Sequence, residues 1–251
     1  MINLSAFIGE PLNFKNKLWI YPPKIKEVIS NPKYSLYERI LTTSAEDIQD
    51  ELKKAGKEME KYPTPFEFLL ANCYQDENFK RLTFEAFEYF CHTKIAFLFE
   101  EKMIIIGDLE KLVQEISNVS ELKYLTEEEF FDFQNLIRES VDRKPVKPPE
   151  PIDPNEDPRI RRIKERARER DRIKAKQSGK NGISLTACLT AICCMGIGIT
   201  PLSIGEMSYA AVGVLMGTYQ QKEKYETDVA SLQAGADSKK IKPKYWIQNL
   251  D

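Results

Sequence analysis

Capping signals followed by apolar residues at helical spacing divide this chain into helices. Three candidate capping boxes, in which Ser or Thr precedes Glu by three residues, stand at Thr64–Glu67, Thr126–Glu129 and Ser203–Glu206. The third is expected to open a helix that runs to about Tyr225. From Phe79 to about Phe99, apolar residues recur mostly three or four positions apart, which predicts one well-buried helix. Ile25–Ile29 and Tyr34–Leu41 are short amphipathic segments, and further helices are predicted at Ser44–Met59 and Leu109–Ile116.

Strand signals are limited to two segments. Leu12–Tyr21 alternates apolar and polar residues well enough to predict a strand or a hairpin, which Pro22 and Pro23 end. Met103–Ile106, just before a glycine, predicts a short strand that could pair with Lys17–Tyr21. The expected fold class is therefore mainly α with a small β element, in which an α+β N-terminal module precedes a helical C-terminal module.

A proline-rich and then basic stretch separates the two modules. Residues 144–158 read KPVKPPEPIDPNEDP, and proline removes amide donors and favours an extended, solvated spacer. Residues 159–181 carry eleven basic and three acidic residues, a net charge of +8 in a chain of net charge −2. We therefore predict modules at 1–143 and 182–251, with 144–181 as the linker. Basic side chains can bind phosphates, but this run has no aromatic residues for base stacking, so nucleic acid is not an expected partner.

An uncharged segment follows the basic run. Ile183–Gly205 spans 23 residues without a charge, which is long enough to cross a bilayer, and the preceding basic residues fit a cytoplasmic flank. Its Ser, Thr, Gly and Pro content and its lack of aromatic residues instead favour a buried segment of a water-soluble protein. We expect the second arrangement. The alternative function that the segment leaves open is a membrane-anchored phage or bacterial protein.

The residues that usually carry chemistry are sparse. The five cysteines form no CxxC pair and there is one histidine, His92, so the four local ligands of a zinc site are missing and the thiols are expected to be buried. Motifs for a phosphate loop, a serine nucleophile, a zinc protease or a dinucleotide site are absent from the sequence. His92 is interpreted as a polar-face or core residue. The first residues do not resemble a secretory signal. We predict no catalytic, cofactor-binding or metal-binding residues, and no enzymatic activity.

The C-terminal part carries the most specific strings. Residues 199–251 read ITPLSIGEMSYAAVGVLMGTYQQKEKYETDVASLQAGADSKKIKPKYWIQNLD, which comprises a turn, a helix start, an aromatic and charged run, a small-residue segment at Ser231–Asp237 and a final Lys-x-Lys-Tyr-Trp motif. This layout resembles the ending of tail assembly chaperones of long-tailed bacteriophages. The basic string DPRIRRIKERARERDRIKAKQ is similar to their connector, and LWIYPPKIKEV and FEFLLANCYQDENF resemble their first domain more weakly.

The resemblance implies a non-enzymatic factor that acts in the host cell cytoplasm during tail assembly and is not expected in the mature virion. Such chaperones coat the tape-measure protein and keep it soluble. In the long, two-module form of the family, the C-terminal part recruits subunits of the major tail-tube protein. Both proteins are therefore expected partners, and self-association is left open.

A long, helical and apolar client is best held by exposed apolar or aromatic grooves. Candidate partner-binding residues are therefore large aromatic side chains: in the first module Phe66 and Phe68, with Phe79, Phe84 and Phe87 as further candidates, and in the second module Tyr209, Tyr219, Tyr245 and Trp246. The competing interpretation places the phenylalanines in the core and docks Tyr245 and Trp246 on the helix around Met207–Tyr219.

Overall fold

A computed structural model describes residues 3–57, 59, 62–108, 122–146, 159–160, 163, 166–167, 170, 184–237 and 240–245. The described part is mainly helical with small antiparallel β elements, which confirms the predicted fold class. The predicted helix at Leu109–Ile116 lies outside the described residues, as do most of the linker and Trp246.

Nine α-helices are described. They are α1 Leu4–Ile8, α2 Ile25–Ser30, α3 Tyr34–Thr42, α4 Ala45–Lys54, α5 Pro65–Gln75, α6 Glu77–Cys91, α7 Glu127–Ser140, α8 Leu185–Cys194 and α9 Tyr209–Gln233. A 3₁₀ turn at Ile204–Glu206 stands between α8 and α9.

Two small antiparallel sheets accompany the helices. The first is the predicted hairpin, with β1 at Leu12–Phe14 and β2 at Leu18–Ile20. The second has three strands in the order β3 (Ile95–Leu98), β4 (Met103–Ile106) and β5 (Tyr124–Leu125). The strand predicted at Met103–Ile106 is confirmed, but its predicted pairing with Lys17–Tyr21 is wrong, because β4 pairs with β3 and β5.

The helix predicted to run from Phe79 to about Phe99 is too long at its C-terminal end. α6 ends at Cys91, because His92 adopts the left-handed conformation with φ of 50° and closes the last turn. Residues 95–98 then pair with 103–106 as a hairpin. Short apolar runs fit a buried helix and a buried strand equally well, so spacing could not separate them.

Two of the three predicted capping boxes are confirmed. Thr64 accepts from the Glu67 amide and caps α5, and Thr126 accepts from the Glu129 amide and caps α7. The third prediction is wrong: Ser203 makes no cap bond, and α9 begins only at Tyr209, after the 3₁₀ turn. Ser208 caps α9 instead, because its hydroxyl accepts from the Ala211 amide at 3.0 Å.

The main core is built of stacked aromatic side chains from α5, α6, α7 and β1. Phe87 and Phe133 stack nearly parallel with ring centroids 5.3 Å apart, and Phe14 packs edge-on against Phe133 at 5.8 Å. Phe66 packs against Phe130 at 5.2 Å. These rings are buried, so burial of apolar surface here is the main source of the module's stability.

The segment that leads into α9 is docked on the N-terminal part of the chain. The Ile25 amide donates to the Met207 carbonyl at 3.0 Å, and the Tyr209 amide donates to the Pro23 carbonyl at 2.8 Å. The Ser208 hydroxyl donates to the Phe7 carbonyl at 2.8 Å. Residues 204–212, which we call the docked segment, therefore complete the packing of the first module, although the linker separates them from it in sequence.

Helix α9 passes close to Asp142 at Gly213. A Cβ atom on Gly213 would lie 2.0 Å from the Asp142 carboxylate oxygen and 2.8 Å from its Cγ. Asp142 follows α7 in the left-handed conformation with φ of 55°. Burial raises the pKa of the Asp142 carboxyl above its usual value of 3.8.

We predict that Asp142→Asn increases the free energy of unfolding at neutral pH. A carboxyl with a raised folded-state pKa binds more protons in the native state, so its contribution to stability is present at low pH and is lost as pH rises above 3.8. Asparagine has the same shape and tolerates left-handed backbone. Urea unfolding of both proteins from pH 3 to pH 7 checks this prediction. An equal difference at every pH would contradict the buried carboxyl as its cause.

The uncharged segment Ile183–Gly205 folds as the ten-residue helix α8, a loop and the 3₁₀ turn. One side packs on a small second core of Ile25, Ile192, Ile204 and Val212, so burial of the segment is confirmed only for that side. Within the part of the chain that the structure describes, no helix combines the length and the apolar character that a bilayer crossing requires.

Candidate functional site

An open cleft of about 270 Å³ lies on the first module between α3, α5 and α6. Glu51 of α4 and Gln134 of α7 also line it. We call this cleft the groove, and its walls are formed by Leu36, Arg39, Ile40, Thr43, Glu51, Pro65, Phe68, Leu69, Asn72, Phe79, Leu82 and Gln134.

Helical spacing places the apolar wall of the groove. On α3, Leu36 and Ile40 are four residues apart and share a face, beside Tyr37 and Leu41, which face the core. Leu36 is 45% exposed, which is high for a leucine in a folded module. On α6, the first-turn residue Phe79 is positioned by Asp76, whose carboxylate accepts from its amide at 3.3 Å.

The α5 wall begins at the confirmed capping box. Pro65 occupies the first turn, and Phe68 and Asn72 follow at spacings of three and four residues, so all three line the groove. The Asn72 side-chain amide donates to the Phe68 carbonyl at 2.7 Å.

The polar groups of the groove bond to one another or to the backbone of neighbouring groove residues. Arg39 forms an ion pair with Glu51 across the rim. The Gln134 side-chain amide donates to the Thr43 carbonyl at 3.2 Å, and the Thr43 hydroxyl donates to the Arg39 carbonyl at 2.6 Å. Apolar side chains can therefore fill the groove without leaving these polar groups unpaired, which would otherwise oppose binding.

The aromatic residues of the first module that the sequence singled out divide between groove and core. Phe68 and Phe79 line the groove. Phe66 is 1% exposed and belongs to the core, so it offers no binding surface in this fold. Phe87 is also a core residue, and Phe84 stacks on Phe97 of β3 at 5.4 Å.

The candidates of the second module lie elsewhere. Tyr209 packs against Tyr34, with ring centroids 5.8 Å apart, as part of the docked segment. Tyr219 lies on α9, where a hydrogen bond to Glu223 raises the pKa of its hydroxyl. Tyr245 packs edge-on against Tyr225 of α9 at 5.6 Å, and neither side chain lines the groove.

Leu36, Ile40 and Leu82 are groove residues that the sequence analysis did not select. A usable signal exists on α3, where apolar residues occupy both the core-facing positions 37 and 41 and the neighbouring positions 36 and 40. When the apolar face of a helix is wider than the part that contacts the core, the remaining apolar positions indicate a binding surface.

The histidine and the cysteines form no metal cluster among the described residues. His92 is exposed and stacks on Tyr21 at 4.0 Å, as expected of a polar-face residue. Cys73 and Cys91 are buried as predicted, and burial raises the pKa of the Cys73 thiol to about 11, which keeps it protonated and weakly nucleophilic. The prediction is wrong for Cys194 on α8, which is exposed, and Cys188 and Cys193 are only half-buried.

Comparisons with protein-family models, with curated proteins and with solved structures found no match.

Proposed function

We propose that this protein is a non-enzymatic assembly chaperone that holds a helical segment of a long client in the groove. The observation that carries the proposal is an open, largely apolar groove with internally bonded polar groups on the first module. An amphipathic helix presents apolar side chains every three to four residues, and Leu36, Phe68 and Leu82 offer the matching apolar contacts.

We further propose that the client is a phage tape-measure protein, as the family resemblance implies. A tape-measure chain is long and helical, and before assembly its apolar stripe is exposed to water. Covering that stripe segment by segment would keep it soluble without any chemical step. The chaperone is needed only until the tail tube replaces it, which places its action in the host cell cytoplasm.

The C-terminal module is proposed to recruit major tail-tube subunits. Helix α9 continues beyond the docked segment. Tyr219 and Tyr225 lie on this part of the helix, and Tyr245 packs against Tyr225. Removing the whole region after the linker would be a poor test, because residues 204–212 complete the packing of the first module. Tyr245→Ala is the better variant, since that side chain is partly exposed.

Leu36→Glu is expected to weaken the ability of the protein to keep the tape-measure protein soluble. The carboxylate would have to lose its water against an apolar helix, while the nearby Arg39 is already paired with Glu51. We therefore expect affinity to fall at least about tenfold, which corresponds to about 1.4 kcal/mol. Co-expression with the tape-measure protein, followed by measurement of its soluble fraction, checks this prediction.

Leu4→Glu is the matched control for that experiment. Leu4 is 73% exposed on α1 and is not among the groove residues, so the same charge change should leave client solubility as in the original protein. Equal solubilisation by the Leu36→Glu and Leu4→Glu variants would show that the groove does not hold the client.

A further inference from the structure

The loop between α8 and the 3₁₀ turn displays apolar side chains to solvent. Leu202 is 93% exposed and Ile197 is 53% exposed. Exposed apolar side chains are common singly, but here two of them lie in one short loop. We call residues 196–203 the apolar loop.

The apolar loop is held in place from inside. The Thr200 amide donates to the Ser203 hydroxyl at 2.9 Å, and the Ser203 amide donates to the Thr200 hydroxyl at 3.3 Å, which fixes Leu202 at the tip of a turn. On the inner side, Ile199 packs on the second core of Ile25, Ile192, Ile204 and Val212. A loop that is already ordered loses little conformational entropy on binding.

The chain segment that contains the apolar loop carries no charge. From Ser184 to Gly205 every residue is uncharged, in a chain of which 30% of residues are charged. A charged partner surface would lose hydration against this segment without gaining a counter-charge from it. The complementary surface is therefore an uncharged apolar pocket.

The groove of the first module comes near to such a pocket. Seven of its twelve lining residues are apolar, and the two charged ones, Arg39 and Glu51, are paired with each other, so an uncharged side chain can enter without unpairing a charge. The exposure of Leu202 shows that the loop does not fill the groove of its own chain. We therefore consider a contact between the loop of one copy and the groove of another.

We propose that Leu202 and Ile197 of one copy bind in the groove of a second copy. The contact is heterologous, because it joins two different surfaces, so it leaves one free loop and one free groove on every pair and can extend to a chain or close to a ring. It also covers the groove when no client is present. This proposal goes beyond the proposed function and does not depend on it, because purified protein without a client is sufficient to test it.

Sedimentation velocity of purified full-length protein over a concentration series tests the proposal. The average mass of the original protein should rise with concentration, whereas Leu202→Glu and Leu36→Glu should each shift the midpoint of association at least tenfold upward. Leu4→Glu should associate as the original does, since Leu4 lies in neither surface. Circular dichroism and unfolding midpoints should match among the four proteins, because all three substituted positions are substantially exposed.

Mixing the two impaired variants provides a second test. Leu202→Glu retains an intact groove and Leu36→Glu retains an intact loop, so an equimolar mixture should form a pair and stop there. The proposal is overturned if the original protein stays monomeric at every concentration. It is also overturned by association of Leu202→Glu at the original midpoint, or by a mixture that fails to pair.

Discussion

Phe87→Ala is expected to lower the free energy of unfolding by about 3–5 kcal/mol, the range for removing a fully buried aromatic side chain. Phe87 is completely buried on α6 and stacks on Phe133 of α7 with an interplanar angle of 7°. Loss of the ring leaves a cavity between α6 and α7. Both helices also pack on other parts of the core, so they can move little to fill the cavity.

Urea denaturation followed by circular dichroism measures this effect. Ile29→Ala is the control, because Ile29 is an exposed residue of α2 and its truncation should change stability by no more than about 0.5 kcal/mol. A loss below about 1 kcal/mol for Phe87→Ala would mean that α6 and α7 do not pack through these rings.

Gly213→Ala is expected to destabilise the protein by about 1–3 kcal/mol, although alanine is the better helix former, because the new methyl group would overlap the Asp142 carboxylate. Relieving the overlap requires α9 to move away from α7 or Asp142 to leave its place. Gly217→Ala is the matched control on the same helix. Apart from its chain neighbours and the backbone of its own helix, no atom of the described residues lies within 4 Å of the place that its new methyl group would take, so it should gain about 0.5–1 kcal/mol.

A double-mutant cycle separates the overlap from other effects. Truncation of Asp142 to alanine removes the carboxylate, so Gly213→Ala should cost less in that background than in the original protein. Thermal unfolding of the four proteins gives the coupling free energy. Identical costs in both backgrounds would show that α9 does not rest on Asp142.

Local signals in the sequence predicted most helix starts of the first module. The boxes at Thr64 and Thr126 depend only on residues three apart, so they could be identified without tertiary information. The same rule failed at Ser203, because Ser203 bonds to Thr200 in a turn and the docked segment requires extended backbone at Met207 before α9 can begin.

Strand pairing could not be predicted in the same way. The β4 strand was recognisable from its apolar run. The residues of β3 were assigned to the preceding helix, so the strand that pairs with β4 was not predicted. Which strands pair depends on chain reversal at His92 and around residues 99–102, and these turns have no strong sequence signal.

The groove was only partly predictable. Phe68 was selected as a large aromatic residue beside a capping box, but nothing in composition distinguished it from Phe66, which enters the core. The rotation of α5 against α3 and α6 decides between the two, and it results from packing of the whole module. The docking of residues 204–212 across the linker is likewise a tertiary effect.

Photo-crosslinking from the groove tests the central proposal most directly. A photoreactive amino acid at position 36 should crosslink to co-expressed tape-measure protein, and mass spectrometry should locate the crosslinks on apolar positions of a client helix. The same amino acid at position 4, on α1, should give little crosslinking. Strong crosslinking from position 4 with none from position 36 would contradict the assignment of the groove as the client-binding site.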